Sequence, residues 1–131
     1  MGPNETPVPR STVLVVEDEP MLLLVVAETL RDAGYQVLEA NGGEAALKLL
    51  DQNPSIELLM TDIKMPGING YQVAERSLAL RPNLKVLFMT GYAQDPIPKQ
   101  MSERGIPVLY KPFDFDKLPE LASDLLSKRS N

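Results

Sequence analysis

From Thr12 onward, short runs of β-branched and other apolar residues alternate five times with longer stretches of mixed polarity. Residues 12–16 form a β-branched run that ends in acids, the pattern of a strand buried in a parallel sheet. Pro20 suits the first turn of a helix capped by Asp18 or Glu19, and Gly34 marks its stop. The same reading places strands at 35–39, at 56–61 with Asp62 at its end, at 84–89 and at 107–110. Helices are expected at 43–50, after a loop at 64–70 and ending before Pro82, at 94–104 and at 114–126. The fourth of these five helices is weak, because Pro96 and Pro98 can sit only at its start. Gly67 and Gly70 read as turn residues.

Strands separated by helices of this length require crossover connections, and hence a parallel sheet covered on both faces. The expected fold class is therefore α/β: a doubly wound, flavodoxin-like, five-stranded parallel sheet of strand order 2-1-3-4-5. Any site belongs at the carboxyl ends of its strands. Residues 1–10, with three prolines, read as a flexible lead-in, and residues 11–131 as one domain.

The first helix departs from a simple stripe. Met21 to Ala27 are seven consecutive apolar residues, more than a helix covered on one side needs. With Leu22, Val25, Val26 and Leu30 placed toward the sheet, Leu23, Leu24 and Ala27 would form an outward apolar patch. Such a patch suits a partner, here a helical phosphodonor, with self-association as the second use.

Composition narrows the function. The 131 residues are 44% apolar and 24% charged, and no apolar run approaches the ~18 residues of a membrane helix. A net charge of −5 and the lack of a helix-turn-helix segment disfavour nucleic acid as a partner. Cysteine is absent, which suits the cytoplasm, and so is histidine, the commonest general base and metal ligand.

The chemistry lies at the strand ends. The first strand ends in Glu17, Asp18 and Glu19, the third in Asp62, the fourth in Thr90 and Gly91, the fifth in Lys111 and Pro112. Parallel strands put these ends on one edge. Carboxylates gathered there repel one another unless a cation sits among them. Oxygen donors without His or Cys favour Mg²⁺, with Mn²⁺ able to substitute. Lys111 can pair with an anion, the Thr90 hydroxyl can donate to one, and Gly91 leaves room beside Asp62. An aspartate among a divalent cation, an ammonium and a hydroxyl is arranged to attack phosphorus. Each group also has a plainer reading: Asp62 as a turn cap, the acids at 17–19 as helix caps, Lys111 as a surface lysine, Thr90 as a strand residue, Tyr110 and Phe113 as packing.

Four segments together resemble bacterial response-regulator receiver domains: Val16-Glu17-Asp18-Glu19-Pro20, Thr61-Asp62-Ile63-Lys64-Met65-Pro66-Gly67, Met89-Thr90-Gly91-Tyr92 and Tyr110-Lys111-Pro112-Phe113. The resemblance spans nearly all of residues 11–128. It implies that Asp62 is the phosphorylated residue. It also implies that Asp18, Asp62 and the Lys64 backbone carbonyl bind Mg²⁺, with Glu17 acting through water. Thr90 and Lys111 would contact the phosphoryl group, and Lys111–Pro112 would be a cis junction. A histidine kinase or histidine phosphotransfer protein would be the donor and another protein the effector, with the chain a monomer or weak dimer lacking an output domain. Lys64 and Tyr92, each two residues past a site residue, would screen the acyl phosphate from water. One position departs from the family: the aromatic usually found three residues before the lysine is Val108, and Tyr110 adjoins Lys111 on the opposite side of the strand. Two alternatives accompany this reading, a Mg²⁺-dependent phosphohydrolase with an aspartyl-phosphate intermediate and an excised receiver module of a hybrid histidine kinase. Against the first, Lys64 stands where such enzymes commonly carry a second aspartate.

Overall fold

A computed structural model describes residues 11–91 and 96–127. Its elements run β1 (Thr12–Val16), α1 (Pro20–Asp32), β2 (Gln36–Ala40), α2 (Gly43–Gln52), β3 (Ile56–Asp62), α3 (Gly70–Leu80), β4 (Lys85–Thr90), α4 (Lys99–Glu103), β5 (Val108–Tyr110), a 3₁₀ turn (Phe115–Lys117) and α5 (Leu118–Ser127). The five strands form one sheet of order β2-β1-β3-β4-β5, every pairing parallel, as the alternation of elements predicts. The lead-in at 1–10 lies outside the described residues.

The sheet is covered on both faces, which is why its central strands carry almost no polar side chains. On one face Leu14, Leu59, Val86 and Phe88 pack under α2, α3 and α4, represented by Leu50, Leu78 and Met101. On the other, Val13, Val15, Leu58, Met60 and Leu87 pack under α1 and α5, represented by Leu30 and Leu125. Among the described residues no helix is long and apolar enough to cross a membrane.

Helix α1 turns its apolar run differently from the expected phase. Leu23, Val26, Ala27 and Leu30 are buried, so Leu23 and Ala27 serve the core rather than an outward patch. Met21, Leu24 and Val25 face water, 65%, 47% and 38% exposed. Seven apolar residues in a row carry no phase; the phase comes from the polar half of the helix. Glu28 and Arg31 are exposed and Leu30 is buried, and counting back three, four and seven positions from Leu30 gives Ala27, Val26 and Leu23. The helix stops at Gly34, whose φ of 98° lies in the left-handed region that glycine enters without strain.

Two other elements are shorter than expected. Helix α4 begins only at Lys99, with Pro98 in its cap position. Proline disfavours helical backbone at the residue before it, so Pro98 keeps Ile97 out of the helix, while Gln94 lies outside the described residues. The closing helix is broken into a 3₁₀ turn and α5. Asp114 caps the turn through the Asp116 amide, at 3.0 Å. Pro119 has no N–H to donate back to residue 115, but fits the first turn of a new helix.

Candidate functional site

The carboxyl ends of β1, β3, β4 and β5 bring the predicted residues to one edge. Glu17 follows β1 directly, its amide donating to the Ala40 carbonyl of β2 at 3.0 Å, and it is buried to 1% exposure. One Glu17 oxygen accepts from Lys111 Nζ at 2.9 Å, the other from the Glu19 amide at 3.1 Å. Glu19 occupies the cap position of α1 but makes no side-chain cap, and Pro20 follows it. The expected cap from Asp18 or Glu19 is thus not formed: the carboxylate serving the helix entrance is Glu17, which reaches the orphan amide from inside the sheet edge.

Asp62 is the last residue of β3 and is buried. Its Oδ1 accepts from the Ile63 amide at 2.8 Å and its Oδ2 from Lys111 Nζ at 3.2 Å. Lys111 is therefore the bridge between two strand ends. It is placed by its own backbone, whose amide donates to the Thr90 carbonyl at 2.7 Å; its peptide bond to Pro112 is cis, as expected. Thr90 is the buried end of β4. Beside Gly91, its chain neighbours apart, no described atom lies within 4 Å of the position a Cβ would take.

The other predicted residues fall as follows. Asp18 is exposed at the rim, and its carboxylate joins those of Glu17 and Asp62 in a cluster whose oxygens lie within 4.8 Å of one another. Lys64 is exposed in the connection between β3 and α3. Tyr92 lies outside the described residues. Val108 packs with the α3–α4 side of the core, paired with Phe88. Tyr110 is 44% exposed and stands across the ladder from Thr90. Alternation puts Tyr110 and Val108 on one face of β5, so this aromatic stands two ladder pairs nearer the site than Val108.

Two residues not assigned to the site from the sequence adjoin Asp62. The Thr61 hydroxyl donates to the Asp62 carbonyl at 2.8 Å, and the Gly70 amide donates to the Ile63 carbonyl at 2.7 Å. Gly70 is not in the left-handed region. It is a close-approach glycine, and no local pattern signals that.

Charge dominates the chemistry of this edge. Among the described residues three carboxylates gather beside the Lys111 ammonium, an excess of negative charge when all three are ionised. Burial, reinforced by the neighbouring Asp62 charge, pushes Glu17 from its ordinary 4.5 up to about 7, although Lys111 and the Glu19 amide pull the other way. For Lys111, burial alone would lower the pKa. The two carboxylates it touches outweigh burial and raise it. A clustered, all-oxygen donor set with excess negative charge fits a hard divalent cation.

Comparison with known proteins gives one answer. A family model described as response regulator receiver domain matches residues 13–123. The response regulator receiver protein CpdR of Brucella abortus is 35% identical over 102 residues, which cover 77% of this chain and 84% of that protein. The crystal structure of the receiver domain from the hybrid histidine kinase CckA superposes with a TM-score of 0.76 at 35% identity, covering 89% of this chain and all 100% of that one. The response regulator protein TrrA of Thermotoga maritima, solved in complex with Mg(2+)-BeF, gives a TM-score of 0.77 at 32% identity over 88% of this chain and 99% of its own.

The buried carboxylate has a measurable consequence in metal-free protein. Glu17 keeps its proton in the fold up to about pH 7 but loses it near 4.5 when unfolded. The stability this contributes is complete below the lower value and is lost as pH rises through the higher one. With a chelator present, urea denaturation should show wild type losing stability from about pH 5 to about pH 8, and Glu17→Gln losing less. Equal slopes for the two proteins would count against the assignment.

Proposed function

The chain belongs to the response-regulator receiver family, and on that premise we propose that Asp62 accepts a phosphoryl group from a phosphohistidine donor and passes the signal on by protein–protein contact. The observation that carries this reading is the single ammonium of Lys111 spanning Glu17 and Asp62 within a cluster of three carboxylates at the strand ends.

In the proposed step an Asp62 carboxylate oxygen forms a bond to phosphorus as the bond from phosphorus to the donor's imidazole nitrogen breaks, the electron pair leaving with that nitrogen. Asp62 needs no general base, because the attacking group is already an anion. Lys111, held by its backbone against Thr90, offers its ammonium to the carboxylate before transfer and to the phosphoryl oxygens after it. The Thr90 hydroxyl donates to one of those oxygens, and the open space beside Gly91 admits them. A Mg²⁺ ion, or Mn²⁺ with the same oxygen preference, would be held by Asp18, Asp62 and the Lys64 carbonyl, with Glu17 acting through water. When bound it supplies neutralisation of the charge on the transferring group. The Mg(2+)-BeF complex of the similar TrrA supports that choice of ion.

On this reading the donor is a histidine kinase or histidine phosphotransfer protein, the effector is a further protein, and the domain works in the cytoplasm as a switch rather than a turnover enzyme. The likeness to the CckA receiver also favours a second reading, a receiver module of a hybrid histidine kinase, with the same chemistry at Asp62. The donor would dock on Met21, Leu24 and Val25, the exposed apolar residues of α1 beside the acidic rim.

Three expectations follow for the laboratory. Incubated with Mg²⁺ and acetyl phosphate, wild type should gain the mass of one labile phosphoryl group. Asp62→Asn should gain none, and Thr90→Ala and Lys111→Ala should label roughly 10²-fold more slowly or worse. An Asp62→Asn protein that labels like wild type would end the proposal. Lys64→Ala should shorten the lifetime of the phosphorylated protein by exposing it to water; an unchanged half-life would remove Lys64 from that role. Leu24→Glu should slow transfer from a cognate histidine donor while sparing labelling by acetyl phosphate, and equal slowing of both would refute docking at this patch.

A further inference from the structure

The backbone carrying Asp62 is clamped from the α3 side by contacts that no charge argument foresees. The Gly70 amide, the first of α3, donates to the Ile63 carbonyl at 2.7 Å. A Cβ built on Gly70 would overlap the Asp62 carbonyl oxygen and lie 2.9 Å from the Ile63 Cα and 3.0 Å from the Asp62 carbonyl carbon. Local unwinding of the helix, or movement of its start, to relieve such an overlap is opposed by two contacts. Its start is locked by a reciprocal capping box, Asn69 accepting from the Gln72 amide at 2.9 Å and the Gln72 side chain accepting from the Asn69 amide at 2.9 Å. The next residue, Tyr71, stacks edge-on against buried Phe88 with ring centroids 5.1 Å apart, which fixes the same turn to β4. On the strand side the fully buried Thr61 hydroxyl holds the Asp62 carbonyl at 2.8 Å. The Ile63 amide, between these two clamped carbonyls, is the donor that orients Asp62 Oδ1, at 2.8 Å.

We infer that Gly70 and Thr61 are positioning residues for the reactive carboxylate: together they set the Asp62–Ile63 peptide, and through its amide the direction of Asp62 Oδ1. This rests on Asp62 being the phosphoacceptor. Any side chain at position 70 pushes that peptide away from the helix. A misplacement on the order of 1 Å at a reacting group lowers the rate about 10²-fold. Gly70 therefore owes its identity to the site and not to a turn.

The test follows labelling by acetyl phosphate at saturating Mg²⁺, read by intact mass, with folding checked by circular dichroism. Gly70→Ala should label about 10²-fold more slowly in its folded fraction. The Thr61 pair separates positioning from packing, and decides the matter should Gly70→Ala fail to fold. Thr61→Val keeps the shape and loses the hydroxyl; Thr61→Ser loses a buried methyl and keeps the hydroxyl. Positioning predicts that the serine variant labels near the wild-type rate whatever its melting temperature, while the valine variant is slowed roughly threefold to tenfold, the scale of one lost neutral hydrogen bond. Wild-type labelling by folded Gly70→Ala, or a Thr61→Ser rate no better than that of Thr61→Val, overturns the inference. Wild type that takes no label at all fails the reading of Asp62 itself, a separate result.

Discussion

Like charges gathered at the end of a parallel sheet are the constraint on which the rest of the structure depends. Glu17 and Asp18 follow β1 and Asp62 ends β3, yet their oxygens lie within 4.8 Å of one another, with Lys111 paired to Glu17 and Asp62. One ammonium cannot balance three carboxylates, and burial magnifies what is left over. Such an edge suits a further cation, and one that prefers oxygen. A domain meant only to be stable would not keep Glu17 at 1% exposure beside another acid. Strain of this kind is tolerated where it is used.

Much of this could be read from the chain because the information is local. A strand buried on both faces must be apolar along its length, so β1, β3 and β4 announce themselves, and the polar residue that ends each run marks the sheet edge. Parallel order then gathers Glu17, Asp62, Thr90 and Lys111 without knowledge of any distance. What could not be read depends on contacts between elements. The phase of α1 was hidden because seven apolar residues look alike from every side, and only Glu28 and Arg31 reveal which way Leu30 turns. The split before α5 comes from Pro119, a backbone donor missing in the first turn, and not from any change in apolar periodicity. Gly70 looks like an ordinary turn glycine until the Asp62 carbonyl is seen against it. Glu17 and Asp18 look alike in the sequence as neighbouring acids, and only the fold shows that Glu17 is enclosed and Asp18 exposed.

The two faces of the sheet divide the work. On one side α1 presents Met21, Leu24 and Val25 to solvent next to the acidic rim, while Leu23, Val26 and Ala27 hold it to the core. On the other, the first turn of α3 touches the Asp62 backbone through Gly70 and β4 through Tyr71 and Phe88. A change at Asp62 thus meets α3 before any other helix on that face. Val108, in place of the aromatic usual in the family, lies within that same cluster, and Tyr110 stands opposite Thr90 at its edge. The groups beside the site on this side are packed aromatic and aliphatic side chains.

The central claim is that the carboxylate edge requires a divalent ion, and thermal denaturation at increasing Mg²⁺, against K⁺ at matched ionic strength, tests it most directly. A cation that binds only the folded edge raises the melting temperature with its concentration. The account predicts that Mg²⁺ stabilises wild type well beyond K⁺, and that Asp18→Asn abolishes most of the difference. Equal responses to the two ions, or a full Mg²⁺ effect in Asp18→Asn, would contradict it.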